Sequence, residues 1–145
     1  MMSDETFKLL FEKHSSQVEE KRKKIHTTTE KVVGVLLVIN GWLISQDVAL
    51  DTMEKYLFLL IVIVVAITSM YVIYRDNKIY RNHARIVRQM SEELGTFKEG
   101  AIVKGITLYP NEWRKFGNEN VIHGVIHHYL VMICVAGLTA IVIFN

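Results

Sequence analysis

Residues 56–74, YLFLLIVIVVAITSMYVIY, run for 19 residues without a charge. As an α-helix this stretch is about 28 Å long, against roughly 30 Å for the hydrocarbon core of a bilayer. It holds 12 Leu, Ile, Val and Phe residues. These favour insertion by about 4–7 kcal/mol, an upper bound because mid-bilayer values are used throughout. Tyr56 marks one end, and Tyr71 and Tyr74 mark the other, where aromatic belts lie. A buried helix of a water-soluble protein keeps a polar side for water, and this stretch has none. It reads as a membrane span, and the rest of the chain is organised around it.

Half of the 145 residues are hydrophobic, yet 22% are charged. The charges are segregated from the apolar runs, so a substantial charged part lies outside lipid. A net charge of +2 gives no electrostatic footprint for nucleic acid, and none is expected as a partner. Cys134 is the single cysteine. It cannot form an intrachain disulfide, no CxxC or zinc spacing is present, and no cofactor is implied. Residues 1–30 contain no apolar core of a signal peptide. The chain reads as one membrane domain.

Residues 4–30 read as a cytoplasmic amphipathic helix. Phe7, Phe11, His14, Val18 and Ile25 form a narrow seam of coiled-coil spacing. Ser3 or Asp4 can cap its start. Lys21, Arg22, Lys23 and Lys24 form a basic block beside the membrane. Such a block is either a solvated helix face or an attractor of anionic headgroups, at about 1 kcal/mol per basic residue near the surface.

A second span covers residues 32–50, with Asn40 near its middle. A lipid-facing Asn is unfavourable, so Asn40 is expected to face another helix, as an interhelical hydrogen-bonding or pore-lining group. Gly41 and Ser45 make a small-residue face that permits close helix approach. Residues 46–55 form a short acidic turn. Beyond Tyr74, Arg75, Lys78, Arg81, Arg85 and Arg88 mark the cytoplasmic side. The amino terminus is therefore placed inside and the carboxyl terminus outside.

No helix breaker follows Tyr74, so this span is expected to continue as a cytoplasmic helix over residues 75–97. Ile79, His83, Ile86, Met90, Leu94 and Phe97 repeat the seam spacing, with Gly95 or Gly100 as the stop. The first two spans, joined by a short turn, then form an antiparallel hairpin with a coiled-coil extension. Matching charges along that extension puts Glu30 level with Arg75, Glu19 and Glu20 opposite Arg85, and Lys13 opposite Glu92. Residues 98–122 form a cytoplasmic loop, with a short interfacial helix at 111–117 started by Pro110.

The third span lies within residues 123–144. Its apolar run, residues 129–144, is about 24 Å long as a helix, so it must begin near Ile126 and sets His127 and His128 at the headgroup boundary. Ala136 and Ala140 offer another small-residue face. Three short spans are expected to bury little of Asn40. With small-residue faces on two of them, a homo-oligomer is expected.

Glu119, His123 and His127 share one helix face, the spacing of a possible metal site, but no metalloprotease pattern accompanies it and no metal is assigned. His123, His127 and His128 are candidates for sensing pH or serving a proton-coupled transport subunit. No nucleophile elbow or phosphate loop is present, so no enzyme is expected.

Two membrane helices with helical cytoplasmic extensions over residues 5–97, and a basic flank followed by MSEELG at Met90–Gly95, resemble the SLATT-type effector domains of bacterial conflict systems. The resemblance implies an inner-membrane oligomer that perturbs or perforates the bilayer when triggered. The third span is an addition to that plan. A non-enzymatic anchor that recruits a cytoplasmic protein through its helical extension is the competing reading.

Overall fold

The structure, a computed structural model, describes residues 4–45, 50–100, 104, 109–110, 114–115 and 124–144. The protein is all-helical, with α1 at Asp4–Ser45, α2 at Thr52–Glu93 and α3 at Ile126–Phe144. Each is long and apolar enough to cross a membrane.

α1 and α2 have 42 residues each, about 63 Å at helical rise. Both run unbroken from a charged half into an apolar one. The expected boundary near Lys31 therefore does not exist in the backbone: nothing between Glu30 and Val32 breaks the helix, and α1 continues to Ser45. Leu50, the expected end of the second span, stands outside α1 and ahead of α2, and residues 46–49 lie outside the described residues.

α2 is closed by side chains at its start and by backbone bonds at its end. Asp51 Oδ1 accepts from the Glu54 amide at 2.8 Å, and Glu54 Oε2 accepts from the Asp51 amide at 2.9 Å. This reciprocal capping box satisfies two amides that the first turn leaves open. At the far end the Thr96 amide reaches Ser91 O at 3.2 Å and the Gly95 amide reaches Glu92 O at 3.0 Å. That is a Schellman stop, and Gly95 takes the left-handed position at φ 72°.

The chain divides into two compact units. Unit 1 comprises residues 1–23 and 76–124, and unit 2 comprises residues 24–75 and 125–145. In unit 1, Phe7, Phe11, His14 and Val18 of α1 are half-buried, as are Ile79, His83, Ile86 and Met90 of α2, while Ala84 and Ser91 are buried. Leu94 leaves the seam and is exposed, because it lies in the Schellman turn. Phe97 is buried, with Tyr109 at 5.8 Å between ring centroids and the Arg114 guanidinium 5.5 Å over its ring. The interfacial helix expected at 111–117 falls largely outside the described residues.

Unit 2 has two apolar clusters. Ile25, Ile73, Val125 and Met132 form one, and Leu36, Leu43, Val62 and Ile143 form the other. Each gathers residues from α1, α2 and the α3 segment. Yet only 22%, 17% and 22% of the three apolar windows is buried. Val38, Ile44, Leu57, Leu60, Ile67, Leu130, Ile133 and Ile141 face outward. In water so much exposed apolar surface would be unfavourable; a hydrocarbon solvent removes the objection.

Candidate functional site

The charged half of α1 supplies the first group of polar contacts, all within unit 1. His14 Nδ1 stands 2.8 Å from His83 Nδ1, with the two rings tilted and 5.0 Å apart. Seven residues further along α1, Lys21 Nζ lies 3.6 Å from Asp76 Oδ1, seven residues back along α2. Equal steps in opposite senses fix the register here, and seven residues is the coiled-coil repeat. The charge-matched register expected from sequence is displaced by about two turns. Exposed pairs such as Lys13 with Glu92 contribute only about 0–1 kcal/mol, too little to hold a register against buried contacts.

That register gives Lys21 a different position from its neighbours. Its side chain is 16% exposed and its partner Asp76 only 2%, whereas Arg22, Lys23 and Lys24 are exposed. Arg75 and Lys78 are exposed as well. Arg81 is buried, with its Nε and Nη1 enclosed and lacking a hydrogen-bond partner among the described residues. The basic segment read as one headgroup-facing patch thus divides into outward and inward members.

His83 is the titratable group of this seam whose protonation is displaced. Burial pushes its pKa below the ordinary value, and the positive charges of His14, Lys21 and Lys13 push it the same way. The sequence placed both histidines in the seam; it gave no sign that their rings would meet.

The second group of polar contacts lies within unit 2. Thr29 donates its hydroxyl to Ile25 O at 3.1 Å and stands 2.9 Å from His128 Nδ1. A hydroxyl has one proton, so His128 must donate from Nδ1 to Thr29 Oγ1. Tyr129 donates its hydroxyl to Met70 O at 3.2 Å. His127 stacks on His128 at 3.9 Å and His26 approaches His128 edge-on at 6.0 Å. His128 is therefore buried and bonded, while His127 is exposed. His123 lies outside the described residues, as does Glu119. Among the described residues no three His, Cys, Asp or Glu side chains group as a metal site.

Asn40 is 4% exposed, and neither its Oδ1 nor its Nδ2 has a hydrogen-bond partner. The expectation that three spans bury little of it is corrected: α1 turns Asn40 inward on the stripe of Leu36 and Leu43, where the α2 and α3 residues of the same cluster also pack. Eleven residues on from Thr29 and His128, Asn40 and Thr139 fall at one level, and Thr139 spends its hydroxyl proton on Val135 O at 2.9 Å. Gly41 and Ser45 face outward, and a Cβ added to Gly41 would meet nothing within 4 Å. Ala136 and Ala140 are half-buried, Ala136 packing against the second apolar cluster.

No family model matches the chain, and no curated protein or solved structure matches it either.

Proposed function

We propose that the protein is a multi-pass membrane effector, without enzymatic activity, that acts by oligomerising and perturbing the bilayer. α1 and α2 cross as an antiparallel hairpin, with the amino terminus and the charged halves in the cytoplasm and the carboxyl terminus outside. The reading follows the resemblance to SLATT-type effectors of bacterial defence and places the protein in the inner membrane.

The observation that carries it is the continuity of α1 and α2. Each is one helix with an apolar part and a charged part, which is the arrangement of membrane helices with helical extensions that the resemblance implies. The open face at Gly41 and Ser45 suits close packing of a second copy. The exposed Arg22, Lys23, Lys24, Arg75 and Lys78 suit anionic headgroups. Asn40, turned inward within one chain, is read as acting through the way the spans pack around it.

Induced expression should collapse the membrane potential, alone or once the products of adjacent genes trigger it. An unchanged potential in both conditions would sink the proposal. A reporter fused ahead of Ser3 should report from the cytoplasm; a signal from the opposite side would overturn the orientation. Exposed Leu9 and Leu10 on the charged half of α1 favour a second reading, an anchor that recruits a cytoplasmic protein. In that case Leu9→Ser with Leu10→Ser abolishes recovery of the partner and leaves the potential untouched.

A further inference from the structure

His14 and His83 bring two imidazoles together within unit 1, one from α1 and one from α2. Their Nδ1 atoms are 2.8 Å apart and their ring centres 5.0 Å, so the two nitrogens meet end-on. An end-on contact at this distance is a hydrogen bond with room for one proton. It is not the approach of two metal ligands, whose lone pairs converge on a point beside the line that joins them. Lys13 and Lys21 also oppose a cation here, and among the described residues no third ligand stands with the pair.

Both rings are half-buried, so a proton can reach them from water. Among the described residues, the charges that act on His83 are those of His14, Lys21 and Lys13 on α1. On α2, Asp76 meets Lys21 at 3.6 Å. Burial and the positive neighbours hold the pKa of His83 below its ordinary value, so the pair takes its second proton below about pH 6.5. That proton leaves two N–H groups facing each other with no acceptor between them.

The contacts on either side limit how far the effect runs. One heptad along the seam, Lys21 and Asp76 join opposite charges and gain nothing from a proton at His83. In the other direction the seam continues through half-buried Phe7, Phe11, Ile86 and Met90, apolar side chains that do not titrate.

We propose that the His14–His83 contact is an acid-operated clasp between α1 and α2 of unit 1. One shared proton holds it closed. A second opens the seam from His14 toward the start of α1 and from His83 toward the end of α2. The clasp belongs to unit 1, whereas His127 and His128, which the sequence marked for pH sensing, belong to unit 2. It does not depend on the proposed action on the bilayer.

The test is backbone amide exchange of the full-length chain in a neutral detergent, read by mass spectrometry. It is run at about pH 7.5 and about pH 5.5, with the intrinsic pH dependence of exchange divided out. At the lower pH, residues 4–14 and 83–93 should lose protection severalfold, up to about tenfold for one histidine of ordinary pKa about 6.5. Residues 36–43 of α1 should keep theirs.

His83→Asn retains a hydrogen-bonding group at the Nδ1 position but takes no proton, so it should exchange alike at the two pH values. His14→Asn makes the same test from α1, should the first variant fail to fold. His127→Asn should respond like wild type. A wild type whose protection at residues 4–14 and 83–93 ignores pH overturns the clasp. So does a loss spread equally over α1, α2 and α3, a response that survives both seam variants, or one abolished by His127→Asn.

Discussion

His14 Nδ1 and His83 Nδ1 stand 2.8 Å apart, a distance that admits one proton between them and not two. In the neutral pair one ring donates and the other accepts. A single added proton keeps a donor and an acceptor. A second sets two N–H groups against each other, with Lys13 and Lys21 adding to the positive field around His83.

Stability should therefore depend on pH, and the sign follows from the lowered pKa of His83. At a pH below the ordinary value of about 6.5, the unfolded chain binds more protons than the folded one, so stability rises with pH there. The contribution is complete above that value and is lost as pH falls through the folded pKa. Thermal unfolding between pH 8 and pH 5 should show this decline, and His83→Ala should flatten it. At pH 8 the same substitution should cost about 0.5–1.5 kcal/mol, one hydrogen bond. A wild-type profile no steeper than that of His83→Ala would contradict the role of the pair.

Lys21 and Lys23 are sequence neighbours in one basic block and should behave differently. Lys21 is the cation held 3.6 Å from a carboxylate that is almost fully enclosed. Removing it takes an opposite charge away from a buried carboxylate, so Lys21→Met should destabilise by up to about 3 kcal/mol. Lys23→Met, on the exposed side, should change stability by less than about 0.5 kcal/mol. Chemical denaturation of both variants at one ionic strength checks the contrast, and equal losses would refute it.

That contrast also shows what the residues disclosed and what they did not. The three long apolar helices were legible because an uncharged run such as residues 56–74 leaves no side for water. The seam positions Phe7, Phe11, His14 and Val18 were legible because helical spacing fixes which side chains share a face. The register was not, because it depends on which buried groups meet across two helices, and the charges used to align it are exposed. The start of α2 was available in the run Asp51-Thr52-Met53-Glu54, whose acid pair at the spacing of a capping box marks a first turn. The inward turn of Arg81 had no local signal at all, since it depends on Gly124, 43 residues further along the chain.

Gly95 tests the stop of α2. Its φ of 72° is the left-handed region that a Cβ disfavours by roughly 1–2 kcal/mol. Gly95→Ala should cost about 1 kcal/mol and should raise amide exchange at Leu94–Thr96, where the three turn amides are bonded back to Met90, Glu92 and Ser91. Unchanged exchange with unchanged stability would mean that the helix ends by another device.

Asn40 gives the sharpest separation of packing from function. Its amide is 4% exposed with no partner for either polar atom, and the threonine at its level has already spent its proton within α3. A buried amide in this state costs about 1–3 kcal/mol, and an apolar side chain of similar size escapes that cost. Asn40→Leu should therefore raise stability in detergent by about 1–2 kcal/mol. A residue kept at such a cost is kept for something other than stability, so the same variant should be slower to collapse the membrane potential on induction. A variant that is less stable than wild type would show that the amide is satisfied, and one that is more stable with unaltered depolarisation would remove Asn40 from the working part of the membrane bundle.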